Sequence, residues 1–260
     1  MTKPGASAAG SRDRWGIILL VILFILTIGC GLAAHTWKGD LRVARISTEG
    51  NKIVTETNIL ILAAIPKGAR LYGVDIRSAR LRVLQNPFIR NASVTREAPD
   101  GIVITVVERV PIAVLALDKT LAIDSEGVVL PSVMMSGVFD LPVLTGDLPV
   151  AECSPGHRIQ ARAVQEALDI LVNAREVNEE LYRLVSEIHI DGENDLVLYT
   201  SEAGVPVIFG RGSVPQKLLE LDGFWKQVVA ARSASDLASV DLRFADQVVV
   251  RWNHDDAGVQ

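Results

Sequence analysis

The sequence is poor in the side chains that build metal centres and disulfide frameworks. It has two cysteines and four histidines among its 260 residues. Cys30 lies inside a hydrophobic run and Cys153 lies far beyond it, so we expect no disulfide, and packing alone must hold the body together. No histidine stands in the His-x-x-x-His or cysteine-paired spacing of a zinc site. The sequence predicts no metal site and no cofactor.

Catalytic and nucleic-acid-binding patterns are equally scarce. The sequence has no Gly-x-Ser-x-Gly elbow, and its acidic pairs are scattered without a shared site. Its 31 acidic residues exceed its 26 lysines and arginines, and the resulting net charge of -5 disfavours nucleic acid as a partner. We interpret the chain as a non-enzyme without a small-molecule substrate.

Two short patterns still suggest a ligand. Glu187, His189 and Asp191 share one face of a predicted strand, which would suit a metal, although such a face is more often simply solvated. The Gly-Arg-Gly-Ser segment at 210–213 places glycines near a helix start, where an anion could bind. It lacks the third glycine of a dinucleotide loop and the Gly-Lys of a P-loop, so we interpret it as a strand-to-helix turn.

One uncharged hydrophobic run, Gly16 to Ala34, dominates the N-terminal region. As a helix it would span roughly 27 Å at 1.5 Å per residue, close to the hydrocarbon thickness of a bilayer. Trp15 and Trp37 bracket it, as aromatic rings do at membrane interfaces. The sequence predicts a transmembrane helix over 15–37 after a disordered tail over 1–14. The basic residues before the run favour a cytoplasmic N-terminus, with the body in a periplasm-like space.

Two other interpretations of this run compete with an anchor. It could be a cleaved signal peptide with Gly31-Leu32-Ala33 as the cleavage site, but signal cores usually hold about 7–15 apolar residues and this run is longer. Gly29-Cys30 could be a lipoprotein processing site, but Thr27 then stands where a leucine is expected. The length of the run favours the anchor.

The segment over 41–110 predicts a small α+β domain. Thr55 is an N-cap and Asp75 caps a second helix, which Asn86-Pro87 ends because a residue before proline avoids the helical region. Pro99-Asp100-Gly101 marks a tight turn. The predicted elements are a strand Leu41–Glu49, helices Thr55–Ala64 and from Asp75, and strands Ile89–Arg96 and Ile102–Glu108. This order fits about 70 residues, an ordinary size for such a domain.

Residues 111–253 predict a second, β-rich domain with two flanking helices. The predicted strands are Ile112–Leu117, Leu121–Asp124, Val128–Leu130, Val185–Asp191, Leu196–Thr200, Val205–Gly210, Ser239–Arg243 and Gln247–Trp252. One helix is predicted to open at Ser154-Pro155-Gly156 and another at Pro215. We expect the polar tail over 254–260 to be disordered.

Several motifs follow the hydrophobic run in a fixed order. They are Ile46-x-x-x-Gly50-Asn51, Gly68-x-x-Leu71-x-x-Val74-Asp75, Asn86-Pro87-Phe88-Ile89-x-x-Ala92-x-Val94-x-Arg96, Pro99-x-x-Ile102-x-Ile104-x-Val106-x-Glu108-Arg109-x-Pro111, Leu141-Pro142-Val143-Leu144-Thr145-Gly146 and Asp241-Leu242-Arg243-Phe244. Together they resemble the FtsQ/DivIB family of bacterial cell-division proteins over about 14–252. The resemblance implies an α+β chain with a single N-terminal transmembrane helix, a small βααββ POTRA domain, and a mixed β-rich domain with two flanking helices.

The resemblance also implies partners and a location. Such proteins are single-pass inner-membrane scaffolds of the divisome, with a cytoplasmic N-terminus and a periplasmic body at the septum. The end of their β-domain binds periplasmic regions of FtsB and FtsL, and Arg211 matches an arginine that meets an acidic residue of FtsB. The POTRA domain would contact other membrane proteins of the divisome. The candidate partner-binding residues are Arg211, Arg243, Phe244, Val248, Val250 and Trp252.

Each candidate leaves an alternative open. The strand Gln247–Trp252 would accept a partner strand only at a sheet edge, and sequence order does not distinguish an edge strand from a central one. Arg211 suits bidentate binding of a partner carboxylate, but it could pair with an acid of its own chain. Asp241 and Arg243 share a strand face, so this pattern fits a structural pair within the chain as well as it fits a contact with a partner.

Two other functional classes compete with a division scaffold. A POTRA-bearing transport or secretion component would escort unfolded outer-membrane proteins, but such proteins usually repeat the domain. An anchored envelope hydrolase would need the catalytic residues that the sequence lacks. The favoured prediction is a non-enzymatic scaffold.

Overall fold

The computed structural model describes residues 18–30, 41–132, 140–193, 195–244 and 247–253. Residues 18–30 form a helix, α1, whose large apolar side chains are 47% to 70% exposed. No helix within these ranges combines the length and apolarity needed to cross a membrane. The remaining parts of the predicted span 15–37, and the tails 1–14 and 254–260 that we predicted to be disordered, lie outside the described residues.

The chain divides into two compact units, and the first comprises Met1–Val83 together with Asn91–Val107. Its fold confirms the predicted order of strand, helix, helix, strand, strand. The elements are β1 (Arg45–Glu49), α2 (Glu56–Ala63), a 3-10 turn (Leu71–Gly73), α3 (Ile76–Val83), β2 (Ile89–Glu97) and β3 (Gly101–Glu108). The sheet order is β1-β3-β2, and β1 runs parallel to β3.

Local capping chemistry explains where both helices of the first unit begin. The Thr55 hydroxyl accepts a hydrogen bond from the Asn58 backbone N–H at 3.4 Å. One carboxylate oxygen of Asp75 accepts from the N–H groups of Arg77 and Ser78. Each cap satisfies N–H groups that the first helical turn leaves without a partner. These two predictions from the sequence are confirmed.

The second unit, Leu84–Arg90 with Glu108–Gln260, contains one nine-stranded sheet in the order β12-β11-β10-β9-β8-β7-β4-β5-β6. Its strands are β4 (Pro111–Leu115), β5 (Leu121–Asp124), β6 (Val129–Leu130), β7 (Val143–Gly146), β8 (Val185–Ile190), β9 (Leu196–Thr200), β10 (Pro206–Ile208), β11 (Leu237–Asp241) and β12 (Val249–Trp252). Its helices are α4 (Arg162–Val177), α5 (Glu179–Leu184) and α6 (Val214–Phe224), the last continued by a π-helical turn at Trp225–Val229.

The hydrophobic core of the second unit lies between the sheet and its helices. Strand residues that alternate inward pack against the apolar stripes of α4 and α6. The fully buried members include Leu144, Ile188, Leu198, Val207 and Val240 from strands, and Val164, Leu168, Leu171 and Leu218 from helices. The alternate residues of the central strands, such as Glu187, His189 and Ile208, are only half-buried, so the helices cover one face of the sheet.

Two local predictions in the second unit were wrong or incomplete. The helix predicted from Pro155 begins only at Arg162, because residues 156–159 instead form backbone hydrogen bonds with Gly127 and Val129. The short helix α5 was not predicted, although the Asn178 side chain caps it by accepting from the Leu181 N–H at 2.7 Å. In the part of the unit that the structure describes, three helices, α4, α5 and α6, therefore flank the sheet rather than two.

A buried ionic cluster forms part of the second unit. Arg109 places Nη1 2.6 Å from Asp124 Oδ2 and 2.8 Å from Glu126 Oε2, and Arg90 also binds Glu126. The other carboxylate oxygen of Asp124 accepts the N–H groups of Glu126 and Val128. The side chain of Asp124 is only 5% exposed and that of Arg109 is 15% exposed. This cluster fixes the β5–β6 turn.

Candidate partner-binding surface

The last strand lies at the edge of the nine-stranded sheet. β12 pairs antiparallel with β11, with Val240 opposite Val250 and Asp241 opposite Val249. No strand of the described chain occupies the other side of β12. Its outer backbone N–H and C=O groups therefore lack a ladder partner within the described residues, which is the condition for pairing with a strand from another chain.

Side chains of β12 alternate between the core and the solvent. Val250 lies on the same face as the fully buried Val240, and Val248, Val250 and Trp252 all pack against the core while remaining half-buried. Val249 is 42% exposed and Arg251 is exposed as well. Three of the six candidate residues therefore face the protein's own core, and the outward-facing apolar residue is Val249, which the sequence analysis did not select.

Trp252 also has a contact on its ring. The Arg232 guanidinium carbon lies 4.7 Å from the centre of the Trp252 ring, a distance at which a cation is attracted to the π face. Trp252 also lies opposite Leu237 of β11. The contacts of Trp252 are therefore at least partly structural.

Arg211 lies in the loop between β10 and α6, and it has partners in its own chain. Its Nη2 donates to the Glu193 carbonyl at 2.6 Å, and its Nε lies 3.6 Å from Asp195 Oδ1. Both side chains of this ion pair are about 40% exposed. The intramolecular pairing that the sequence left open is thus present in the free chain, at a geometry weaker than a bidentate bridge.

Arg243 makes the bidentate bridge that Arg211 lacks, and it does so with Asp241. Arg243 Nε lies 3.0 Å from Oδ1 of Asp241 and Nη2 lies 2.7 Å from Oδ2. The hydrogen bond from Arg243 holds the pKa of Asp241 below its ordinary value, and the same bond raises the pKa of Arg243. Arg243 is therefore held by its neighbour on the strand, whereas the adjacent Phe244 is 53% exposed.

The topology brings Arg211, Arg243 and Phe244 to one end of the sheet. β10 and β11 run parallel, with Ile208 opposite Asp241, so the residues that follow both strands emerge at the same end. The Arg243 side chain lies close to the backbone of Gly210, because a Cβ added to Gly210 would lie 2.7 Å from Arg243 Cγ. Gly210 has φ +63, a left-handed conformation that glycine adopts without strain. The turn before β9 contributes Asp195 at this end.

A lysine that the sequence analysis missed lies beneath the loop. Lys217 is only 8% exposed, and its Nζ donates to the carbonyl oxygens of Phe209 at 2.8 Å and Arg211 at 2.9 Å. Burial lowers the pKa of Lys217, an effect that Glu220, Asp241 and Asp195 oppose. Its place on α6, where Leu218 and Leu221 mark the apolar face, gave no local signal for this role.

These five charged residues form what we call the arginine cluster: Arg211, Arg243, Lys217, Asp195 and Asp241. Its three cations face these two carboxylates, and Glu220 also acts on Lys217, so the exposed positive charge of the cluster belongs to Arg211 and Arg243, which are 43% and 49% exposed. The cluster adjoins the start of β12 through the pairing of Asp241 with Val249. An extended acidic segment is the kind of ligand that suits such a surface.

The other sequence patterns show no ligand site in the described residues. The Thr145 hydroxyl contacts Glu187 and His189, while Asp191 accepts the N–H groups of Glu193 and Asp195 and so shapes a turn. Nowhere in the described ranges do three histidine, cysteine, aspartate or glutamate side chains group where they could hold a metal. The 210–213 segment forms a strand-to-helix turn, as predicted.

Two adjacent cavities of about 320 and 520 Å³ flank Trp225 and share Glu202 and Lys226 in their linings. Trp225 Nε1 donates to Glu202 at 2.9 Å, and Lys226 pairs with Asp222 at 3.0 Å. Their linings contain neither histidine nor cysteine. These two contacts pair polar groups that line the cavities.

Comparison with known proteins agrees with this architecture. Residues 41–109 match the POTRA domain of FtsQ type, and residues 113–243 match the C-terminal region of cell division protein FtsQ/DivIB. The chain is 31% identical to cell division protein FtsQ of Rhodothermus marinus, covering 95% of this chain and 90% of the relative. It is 29% identical to the FtsQ of Geobacter sp. strain M21 over 81% and 76% of the two chains, and 26% identical to that of Salinibacter ruber over 86% and 88%. The chain therefore belongs to the FtsQ/DivIB family of cell-division proteins.

Proposed function

We propose that this chain is a non-enzymatic, single-pass membrane scaffold of the divisome that recruits FtsB and FtsL to the septum. A β-domain over 111–253 would bind their periplasmic regions, and a POTRA domain over 41–110 would contact other divisome membrane proteins. The observation that carries the proposal is the position of β12 at the sheet edge, directly beside the arginine cluster. The family match supports a role in division rather than in outer-membrane protein transport.

Backbone pairing with β12 would supply register but little net affinity. An added strand forming about five hydrogen bonds, each worth about 1 kcal/mol net, barely offsets the cost of ordering a flexible segment. Exposed apolar side chains must therefore supply most of the net binding free energy. Phe244 and Val249 are the exposed apolar residues at this edge, at 53% and 42% exposure.

The arginine cluster would select the sequence of the incoming strand. Arg211 is about 40% exposed and holds Asp195 at 3.6 Å, so a partner carboxylate could replace that contact with a shorter, bidentate one. Arg243 is already bound on two nitrogens by Asp241, which leaves Arg211 as the arginine better placed to exchange partners. An acidic residue near one end of the FtsB strand would complement this surface.

A membrane anchor over 15–37 completes the proposal. The apolar side chains of α1 are exposed along its described length, and the run from Gly16 to Ala34 contains no charge, which together support insertion in lipid. Holding both partners in one membrane raises their effective concentration, so modest contacts would suffice. A reporter fused after Trp252 should be active only in the periplasm, and cytoplasmic activity would contradict the proposed orientation.

The binding proposal is tested by truncating the edge side chains. The full chain in detergent is titrated with the periplasmic segment of FtsB and the dissociation constant is measured by calorimetry. Phe244→Ala should weaken binding about four- to twelvefold, because the ring is 53% exposed in the free chain and binding would bury only that half, which contributes about half of the roughly 1.5–3 kcal/mol of full burial. Leu219→Ala is the matched control, since Leu219 is 60% exposed but lies on α6. Equal affinity of wild type, Phe244→Ala and Val249→Ala would contradict binding at this edge.

A further inference from the structure

Lys217 is an unusual residue to find beneath a binding loop. Lysine is almost never fully buried unless its ammonium is paired. Lys217 is 8% exposed, yet it forms no ion pair with any residue in the described part of the chain, and its hydrogen bonds go to two backbone carbonyls. Its Nζ also lies 5.2 Å from the centre of the Phe209 ring. Its two hydrogen bonds hold the Phe209 and Arg211 carbonyls in place relative to α6.

The loop that Lys217 holds is conformationally demanding. Gly210, Gly212 and Ser213 all have positive φ, and Ser213 adopts this left-handed conformation at φ +50 without the freedom of glycine. The N–H groups of Phe209 and Gly210 are fixed to the Leu196 carbonyl at the end of the sheet. Beyond that point the Arg211 carbonyl is tied to Lys217. The ammonium therefore bridges the fixed and the strained parts of the loop.

The same ammonium interacts with both acids of the arginine cluster. Glu220 acts electrostatically on Lys217, and so do Asp241, which binds Arg243, and Asp195, which contacts Arg211. Removing the positive charge at 217 would leave these two carboxylates to the two arginines alone. Each arginine would then be held more tightly by its own chain and would be less available to a partner.

We propose that Lys217 is a positioning residue for partner binding, which fixes the 209–213 loop so that Arg211 is presented to an acidic segment of the partner. The proposal rests on the proposed function, because it concerns the presentation of Arg211 at the same surface. Lys217 itself does not contact the partner. It acts through the carbonyl of Arg211 and through the carboxylates that Arg211 and Arg243 share with it.

The test is a double-mutant cycle on the full chain, with the periplasmic segment of FtsB as probe. Lys217→Met keeps the aliphatic packing and removes both hydrogen bonds of Nζ together with its charge. It should weaken binding about tenfold, as should Arg211→Met. The double variant should bind within about twofold of the weaker single variant, because both changes remove the same interaction. Lys226→Met is the control, since Lys226 is exposed and pairs with Asp222, and it should leave the affinity unchanged.

Two further measurements separate positioning from general destabilisation. Any fold-loss caused by Trp252→Ala should be the same in the wild-type and Lys217→Met backgrounds, because Trp252 lies opposite Leu237, at the other end of β11 from Asp241. Amide hydrogen exchange at 210–212 should accelerate in Lys217→Met while the protection of β8 and β9 stays unchanged. If Lys217→Met does not fold, Lys217→Gln, which keeps N–H donors but not the charge, is carried through the same cycle.

The outcomes are distinct. The positioning role would be overturned if the affinity losses of Lys217→Met and Arg211→Met multiplied in the double variant. It would also be overturned if the single variant Lys217→Met bound the partner as tightly as wild type. Neither result would contradict the proposed scaffold function. Unchanged binding in Arg211→Met would overturn the contact of Arg211 with the partner, and the role of Lys217 with it. Nonadditive losses with faster exchange confined to the loop would support the proposal.

Discussion

Replacing Arg109 by methionine should strongly destabilise the second unit. The substitution leaves the Asp124 carboxylate, which is 5% exposed, without the cation that sits 2.6 Å from it. Removing one partner of a buried ion pair costs about 3–5 kcal/mol, because the remaining charge is buried and uncompensated. Glu126 keeps Arg90 and a longer contact to Arg158, so the cost falls mainly on Asp124. Such a loss is a large share of the roughly 5–15 kcal/mol that stabilises a folded domain.

The effect of this substitution should depend on pH with a definite sign. The hydrogen bond from Arg109 is the largest cause that holds the pKa of Glu126 below its ordinary value of 4.5. A lowered folded-state pKa stabilises the protein above about pH 4.5, and this contribution is lost as pH falls through the folded value. The difference in unfolding free energy between wild type and Arg109→Met should therefore be largest near neutral pH and narrow towards pH 3.

Denaturant unfolding followed by circular dichroism at several pH values measures both effects. Arg162→Met provides the matched control, because Arg162 also pairs with a glutamate but its side chain is 81% exposed, and we expect almost no change there. The reasoning would be refuted if Arg109→Met were no more destabilising than Arg162→Met. A stability difference that stayed constant from pH 7 to pH 3 would refute the electrostatic explanation alone.

Two further predictions concern the arginine cluster. Gly210→Ala should destabilise the chain by about 1–2 kcal/mol through its left-handed backbone, and if the proposed binding of FtsB holds, it should also weaken that binding by displacing Arg243. Gly212→Ala, with φ +67 but open space around it, should show only the backbone cost in denaturant unfolding. Equal FtsB affinities for the two variants would contradict the Arg243 contact. Asp195→Asn should strengthen the proposed binding of FtsB by up to about fivefold in calorimetry, since it releases Arg211 from an exposed pair worth at most about 1 kcal/mol. Weaker binding would show that Asp195 orients Arg211 instead of competing for it.

Local signals in the sequence predicted most of the first unit. Thr55 and Asp75 cap helices through side-chain bonds to N–H groups two or three residues away, and such bonds depend on nearby residues alone. The turn at Pro99-Asp100-Gly101 is equally local. Because each element carried its own start or stop signal, their order could be derived without any knowledge of tertiary contacts.

The second unit was harder to predict because its decisive contacts are distant in sequence. The segment after Pro155 has the composition of a helix start, yet Gly156 and Ile159 form backbone bonds to Val129 and Gly127. The strand β7 lies between β4 and β8, in parallel with both, and no local pattern specifies such a neighbour. Tertiary pairing decided both cases.

The binding surface was only partly derivable for the same reason. Three consecutive valines, Val248 to Val250, conceal the alternation of β12, so the sequence could not show that Val249 alone of the three faces outward. The partner of Arg211 depends on a turn that precedes β9, and the role of Lys217 depends on carbonyls of the loop before its helix. The charged residues were visible in the sequence, but their partners were not.

Because β12 has one neighbouring strand within the described residues, a partner strand that paired with it would also become its second support. Free energy released by pairing would then be shared between holding the partner and ordering the last strand itself. Tighter-binding partners should slow hydrogen exchange in β12 in proportion to their affinity. A substitution that loosens this strand should lower the affinity of every partner that pairs with it. The hydrogen exchange of β12 would thus show whether a partner strand is bound to it.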